Sequence, residues 1–127
     1  MFNKPNEEFI KDGAQNITEK DVEKVITKSE DIKKKFNTTG PLGRFIEDGQ
    51  LLLAIVKDYW SGAYRQIPYG GIAAIVFTLV YILNPFDMMP DVLPVIGQVD
   101  DVAVLGACLL LIEQDLHKYK DWKQSES

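Results

Sequence analysis

Four aspartates in a short stretch, Asp87, Asp91, Asp100 and Asp101, are the residues whose type and spacing could do chemistry. Carboxylates are hard oxygen ligands, suited to Ca²⁺ or Mg²⁺ where several converge. No D-x-D-x-D-G run surrounds them and no glutamate stands at a twelfth loop position, so they do not make an EF-hand. Two carboxylates across a cleft could also serve acid–base chemistry, as in glycosidases, but no polar substrate-binding residues lie nearby. Helix capping accounts for them more simply. Asp87 and Asp91 each precede a proline by three residues, Pro90 and Pro94, which puts each proline in a first helical turn where no amide donor is needed. Asp100 or Asp101 can cap a helix starting near Val102, and both favour its positive end. We expect capping, with a divalent-ion site as the alternative.

The remaining reactive residues are few. The chain has one cysteine, Cys108, and one histidine, His117. That excludes an internal disulfide, a cysteine-based zinc site and any two-histidine metal motif. Cys108 lies in an apolar run and reads as an inert buried thiol, and His117 lies among charges with no partner that would make it a base. We therefore expect no catalytic residues, no metal and no cofactor. A net charge of -5 over 127 residues argues against a nucleic-acid partner, which would require clustered lysine and arginine.

Two apolar segments flank the aspartates. From Gln66 to Phe86 there is no charged residue, and Ile67 to Leu83 is apolar on every side. Seventeen helical residues reach ~25 Å, slightly under a ~30 Å hydrocarbon core. Val102 to Ile112 would cover only ~17 Å, too short to span unless the flanking carboxylates reach the headgroups. Gly70 with Ala74, and Ala103 with Ala107, are small-xxx-small pairs that would let the two segments pack as a hairpin. Tyr59, Trp60, Tyr64 and Tyr69 with Arg65 before the first run, and Tyr119 and Trp122 with Lys118 and Lys120 after the second, have the composition of interfacial belts. The same residues could instead cover the end of a soluble core.

The connector reads N-P-F-D-M-M-P-D-V-L-P-V-I-G-Q-V-D-D over 84–101. Pro85, Pro90, Pro94 and Gly97 forbid a long regular helix there. An apolar helix, this spacing of prolines, glycine and aspartates, then a second apolar helix resembles the YkvA-like family, small and mostly bacterial proteins defined by a domain of unknown function. Every fixed element of that pattern is present from Pro85 through Asp101, and the resemblance covers about 66–113. It implies a small helical membrane protein that passes the bilayer more than once, and it brings no catalytic activity with it.

The first 65 residues hold 11 of the 14 lysines and arginines together with 11 acids. Residues 17–36 predict one amphipathic helix, with Thr18 as N-cap, Asp21 in the capping-box position, and Ile17 stapled to Val22. Val22, Val25, Ile26, Ile32 and Phe36 form its apolar face. A second amphipathic helix is expected from Pro41 to about Trp60, with Gly49 inside its stripe. Asn3, Lys4 and the last five residues read as loose tails.

These readings give an all-α chain: two amphipathic helices, then an apolar helical hairpin with a Pro/Asp-rich connector. Residues 1–40 form an N-terminal amphipathic extension, and 41–123 a YkvA-like membrane-associated domain. Met1 to Ile10 carries Glu7 and Glu8 where a signal peptide needs an apolar run, so no export signal is expected. Lys57 and Arg65 before the first run, and Lys118, Lys120 and Lys123 after the second, favour cytoplasmic termini for a multi-pass or re-entrant hairpin. The expected role is a membrane-associated interaction or scaffold protein whose partners are the lipid membrane and a protein or a second copy. The alternatives are a soluble helical bundle that binds an apolar ligand or partner, and an Asp-based divalent-metal-dependent hydrolase. If capping is the aspartates' role, Asp100→Ala or Asp101→Ala should cost about 0.5–2 kcal/mol in a denaturant melt, the same with and without millimolar Ca²⁺ or Mg²⁺.

Overall fold

The computed structural model describes residues 3–37, 40–84 and 101–126. Every element among them is helical: α1 (Asn3–Ala14), α2 (Glu19–Thr27), α3 (Ser29–Phe36), a 3-10 turn (Pro41–Phe45), α4 (Ile46–Ser61), α5 (Tyr69–Leu83), α6 (Asp101–Leu111) and α7 (Glu113–Glu126). The all-α class follows from the apolar periodicities along the chain.

α2 begins as its sequence dictates. Thr18 is extended (φ -120°, ψ 174°), and its amide donates to the Asp21 carboxylate at 2.9 Å, which occupies one orphan donor of the first turn. The helix expected over 17–36 is bent. Lys28 leaves helical geometry (φ -99°, ψ 18°), yet its amide still reaches Lys24 O at 2.8 Å and its carbonyl still accepts from Ile32 at 3.0 Å. The apolar stripe therefore runs through the bend, and both halves lie along α5. The second expected helix is likewise divided, because the stretch from Pro41 winds as a 3-10 turn before α4 starts at Ile46.

α5 is the centre of the molecule. Every residue from Ile72 to Ile82 is buried, and α1, α2, α3, α4 and α6 all pack against it. Its buried hydroxyl, Thr78, donates to Ala74 O at 2.9 Å, so no polar side chain in this stretch lacks a partner. Fifteen residues measure ~22 Å. None of the described helices is long and apolar enough to cross a membrane. The apolarity that reads as a spanning segment is matched here by the faces of neighbouring helices.

α1 corrects the expectation of a loose N-terminus, since helix begins at Asn3. Ile10 is fully buried, and Phe9 meets Phe77 and Tyr81 edge-on, with ring centroids 5.2 and 5.5 Å apart. The helix lies against both α5 and α6. At the other end, α7 continues to Glu126 where a tail was expected. The ladder from α6 runs into it, with Ile112 donating to Cys108 O at 3.0 Å and Leu116 to Ile112 O at 2.8 Å.

Two glycines allow this packing. A Cβ on Gly13 would overlap the Phe77 ring carbons, and one on Gly49 would lie 2.8 Å from the Phe36 ring. Both rings are buried. Gly13→Ala and Gly49→Ala should each destabilise the fold by about 1–3 kcal/mol in urea, although alanine is intrinsically the better helix former. Gly70→Ala, whose Cβ meets nothing within 4 Å, should be neutral or stabilising in the same assay.

Candidate functional site

Two chain segments, far apart in sequence and both rich in aromatic and basic residues, meet at one end of the bundle. α4 ends at Gly62, whose left-handed φ of +90° turns the chain, and the Tyr64 amide then donates back to Asp58 O at 3.0 Å. The turn delivers Tyr64 into the core against α7, with its ring centroid 5.1 Å from Tyr119 and 5.0 Å from Trp122. Tyr64 and Tyr119 are buried, so these two are core residues and not part of an exposed belt.

The Asp58 carboxylate fastens this end. It accepts from the Tyr119 hydroxyl, and from Lys123 Nζ at 3.1 Å. Lys123 also lies over the Tyr119 and Trp122 rings, 5.7 and 5.8 Å from their centroids. The sequence gives no sign of this contact. Its partners stand 61 and 65 residues further on, beyond the reach of any local pattern.

Of the other aromatics at this end, Tyr59 and Trp122 are half-buried, and Trp60 and Tyr69 face outward. Trp60 is 39% exposed and Tyr69 48%. Between them Arg65 donates from Nε to Tyr59 O at 2.6 Å, with its guanidinium 4.8 Å from the Tyr59 ring centroid. The Tyr69 hydroxyl reaches Ile17 O at 3.2 Å and ties the start of α5 to the α1–α2 junction.

Beside Tyr69 a cavity of about 560 Å³ opens between the end of α1, the start of α5 and the α6–α7 junction. Gly70, Gly71 and Ala74 form its floor, Leu111 and Ile112 its apolar wall, and Lys11 and Asp115 bring opposite charges to its rim. Gly70 faces open space at this floor and Ala74 is buried beneath it. Ala107 is also buried and Ala103 is half-buried, both on α6. The Cys108 thiol donates to Ala74 O at 3.8 Å, a side-chain link between α6 and α5.

Asp101 is the first residue of α6 and half-buried. Asp87, Asp91, Asp100, Pro85, Pro90, Pro94 and Gly97 lie outside the described residues. Among the described residues, no group of three or more histidines, cysteines or acids is arranged to hold a metal ion.

Residues 72–107 match a family described as protein of unknown function (DUF1232). A relative from Bacillus subtilis (strain 168), described as uncharacterized membrane protein YkvA, is 32% identical over 69 residues, which is 54% of this chain. The match takes in 65% of that relative, so the chain spans less than two thirds of its length. No solved structure matches.

Burial also shapes the response to alkali. It pushes the Cys108 thiol from an ordinary 9.0 up to about 12, outweighing the opposing hydrogen bond with Thr78. Burial, and then the Asp58 carboxylate, hold the Tyr119 phenol well above its ordinary 10.0. Both groups keep their protons longer when folded, so their contribution is complete below the unfolded values and is lost as pH rises through the folded ones. Urea unfolding followed from about pH 8 to 11 should show stability falling from near pH 9. Cys108→Ala should remove the earlier part of that fall and Tyr119→Phe part of the later fall, after an offset of about 1–3 kcal/mol at neutral pH for the lost bond to Asp58.

Proposed function

We propose that this chain, which is similar to a domain of unknown function over 72–107 and to the relative described as YkvA, is a membrane-associated helical scaffold attached through the aromatic end of the bundle. The observation that carries this reading is the outward-facing trio of Trp60, Arg65 and Tyr69. Amphipathic rings beside a guanidinium suit the depth of lipid headgroups, where the ring is half-dehydrated and the cation meets phosphate. The relative's description as a membrane protein supports it. In this reading residues 41–123 are the membrane-associated domain, and residues 1–40 are an extension that covers it and adapts it to a protein partner or a second copy. Lys57, Arg65, Lys118, Lys120 and Lys123 favour the cytoplasmic face, with both termini on that side.

A second reading, a helical bundle that binds an apolar ligand or partner away from lipid, is favoured by the enclosure of α5 on all sides. The two readings separate in a flotation assay. Full-length chain should float with phosphatidylcholine vesicles, leave native membranes on alkaline carbonate extraction, and lose most of its floated fraction in a Trp60→Ala, Arg65→Gln variant. Failure of the wild type to float would leave the second reading, and resistance to carbonate would return the spanning hairpin.

A further inference from the structure

The cavity beside Tyr69 has a composition that an apolar ligand alone does not explain. Its floor and wall are apolar, made of Gly70, Gly71, Ala74, Leu111 and Ile112, while the rest of the lining includes the neutral amide of Gln15, one cation, Lys11, and one anion, Asp115. Neither of those charged side chains makes a hydrogen bond or ion pair with another described residue. Asp115 is half-buried and stands over the first turn of α5, its Oδ2 3.5 Å from where a Cβ on Gly71 would be. A partly dehydrated carboxylate gains from a counter-charge that brings its own N–H donors. The volume of about 560 Å³ lies within the ~300–1,000 Å³ range of small-molecule sites.

We propose that this cavity binds the phosphoethanolamine headgroup of a membrane lipid, with the ammonium on Asp115, the phosphate on Lys11 and the first methylenes of the chains against Leu111 and Ile112. The inference rests on the membrane-associated reading and adds the lipid class to it. Charge selects the ligand. A purely anionic headgroup meets Asp115 and a chain of net charge -5, and a fatty acid leaves Asp115 without a partner. Choline's quaternary ammonium has no N–H to donate and is held by aromatic cages, whereas Tyr69 is the one aromatic ring in this lining. A primary ammonium next to a phosphate satisfies both rim charges at once. Tyr69 also belongs to the exposed aromatic end, so the cavity opens beside the surface proposed to meet the bilayer.

The test uses full-length chain and short-chain lipids that stay monomeric, so that it does not depend on vesicle attachment. Calorimetric titration with dihexanoylphosphatidylethanolamine should saturate, and dihexanoylphosphatidylcholine should bind about tenfold more weakly. Free phosphoethanolamine should bind more weakly than the lipid, because it lacks the methylenes. Asp115→Asn should erase the preference between the two lipids. Gly70→Leu, which places a side chain in open space at the cavity floor, should abolish binding of both with an unchanged thermal melt. Equal affinity of the wild type for both lipids, binding retained by Gly70→Leu, or no saturable binding would overturn the headgroup assignment. Selective binding of the ethanolamine lipid by a chain that does not float would uphold the cavity's role and overturn the attachment reading. Flotation without lipid preference would do the reverse.

Discussion

An α-helix with no polar face has to be enclosed on every side, and the architecture of this protein answers that demand. α5 has no hydrophilic stripe between Ile72 and Ile82, so a single covering layer would leave apolar surface in water. Among the described residues five helices pack along it, and each contributes one apolar face: Phe9 and Ile10 from α1, Val22 and Val25 from α2, Ile32 and Phe36 from α3, Leu52 and Val56 from α4, Val104 and Leu105 from α6. The amphipathicity of the N-terminal half and the uniform apolarity of the middle are two sides of one packing problem.

The closeness of the packing follows from where side chains are small or missing. Gly13 and Gly49 stand where α1 and α4 meet the buried rings of Phe77 and Phe36, and Ala74 and Ala107 are buried on α5 and α6. Among the described residues, the polar atoms taken inside are few and each is matched. Thr78 folds back on its own helix, Cys108 turns its thiol to the α5 backbone, and the Tyr119 hydroxyl emerges at Asp58.

What was legible in the sequence was local. Thr18 with Asp21 marks the start of α2, Pro41 marks a helical start that winds as 3-10 before α4, and the charge-free run delimits α5, because capping chemistry and periodicity act within a few residues. α1 escaped because its apolar content is only Phe9, Ile10 and Ala14 among charges. Its helicity depends on rings of α5 some seventy residues away, and nothing near it in the chain announces them. The site was legible in type and not in arrangement. Both aromatic–basic clusters stand out in the sequence, but which rings turn inward is decided by α7 lying against the α4–α5 turn. The cavity joins three segments whose pairing no spacing rule predicts. The aspartate motif, the most specific pattern in the sequence, lies for the most part outside the described residues.

The order of the helices bears on how the protein is made. Among the described residues, four of the five helices that pack along α5 precede it in the chain, and α6 follows it. When the ribosome extrudes this very apolar segment, α1 to α4 are already available to shelter it, whereas the contact with α6 waits for residues beyond 101 to emerge. Vectorial synthesis therefore shortens the interval in which α5 is exposed to chaperones, to other nascent chains or to the membrane-insertion machinery. The same sequence with its amphipathic half moved behind the apolar half would present α5 bare. Chain order acts here as a kinetic safeguard that the finished structure no longer displays.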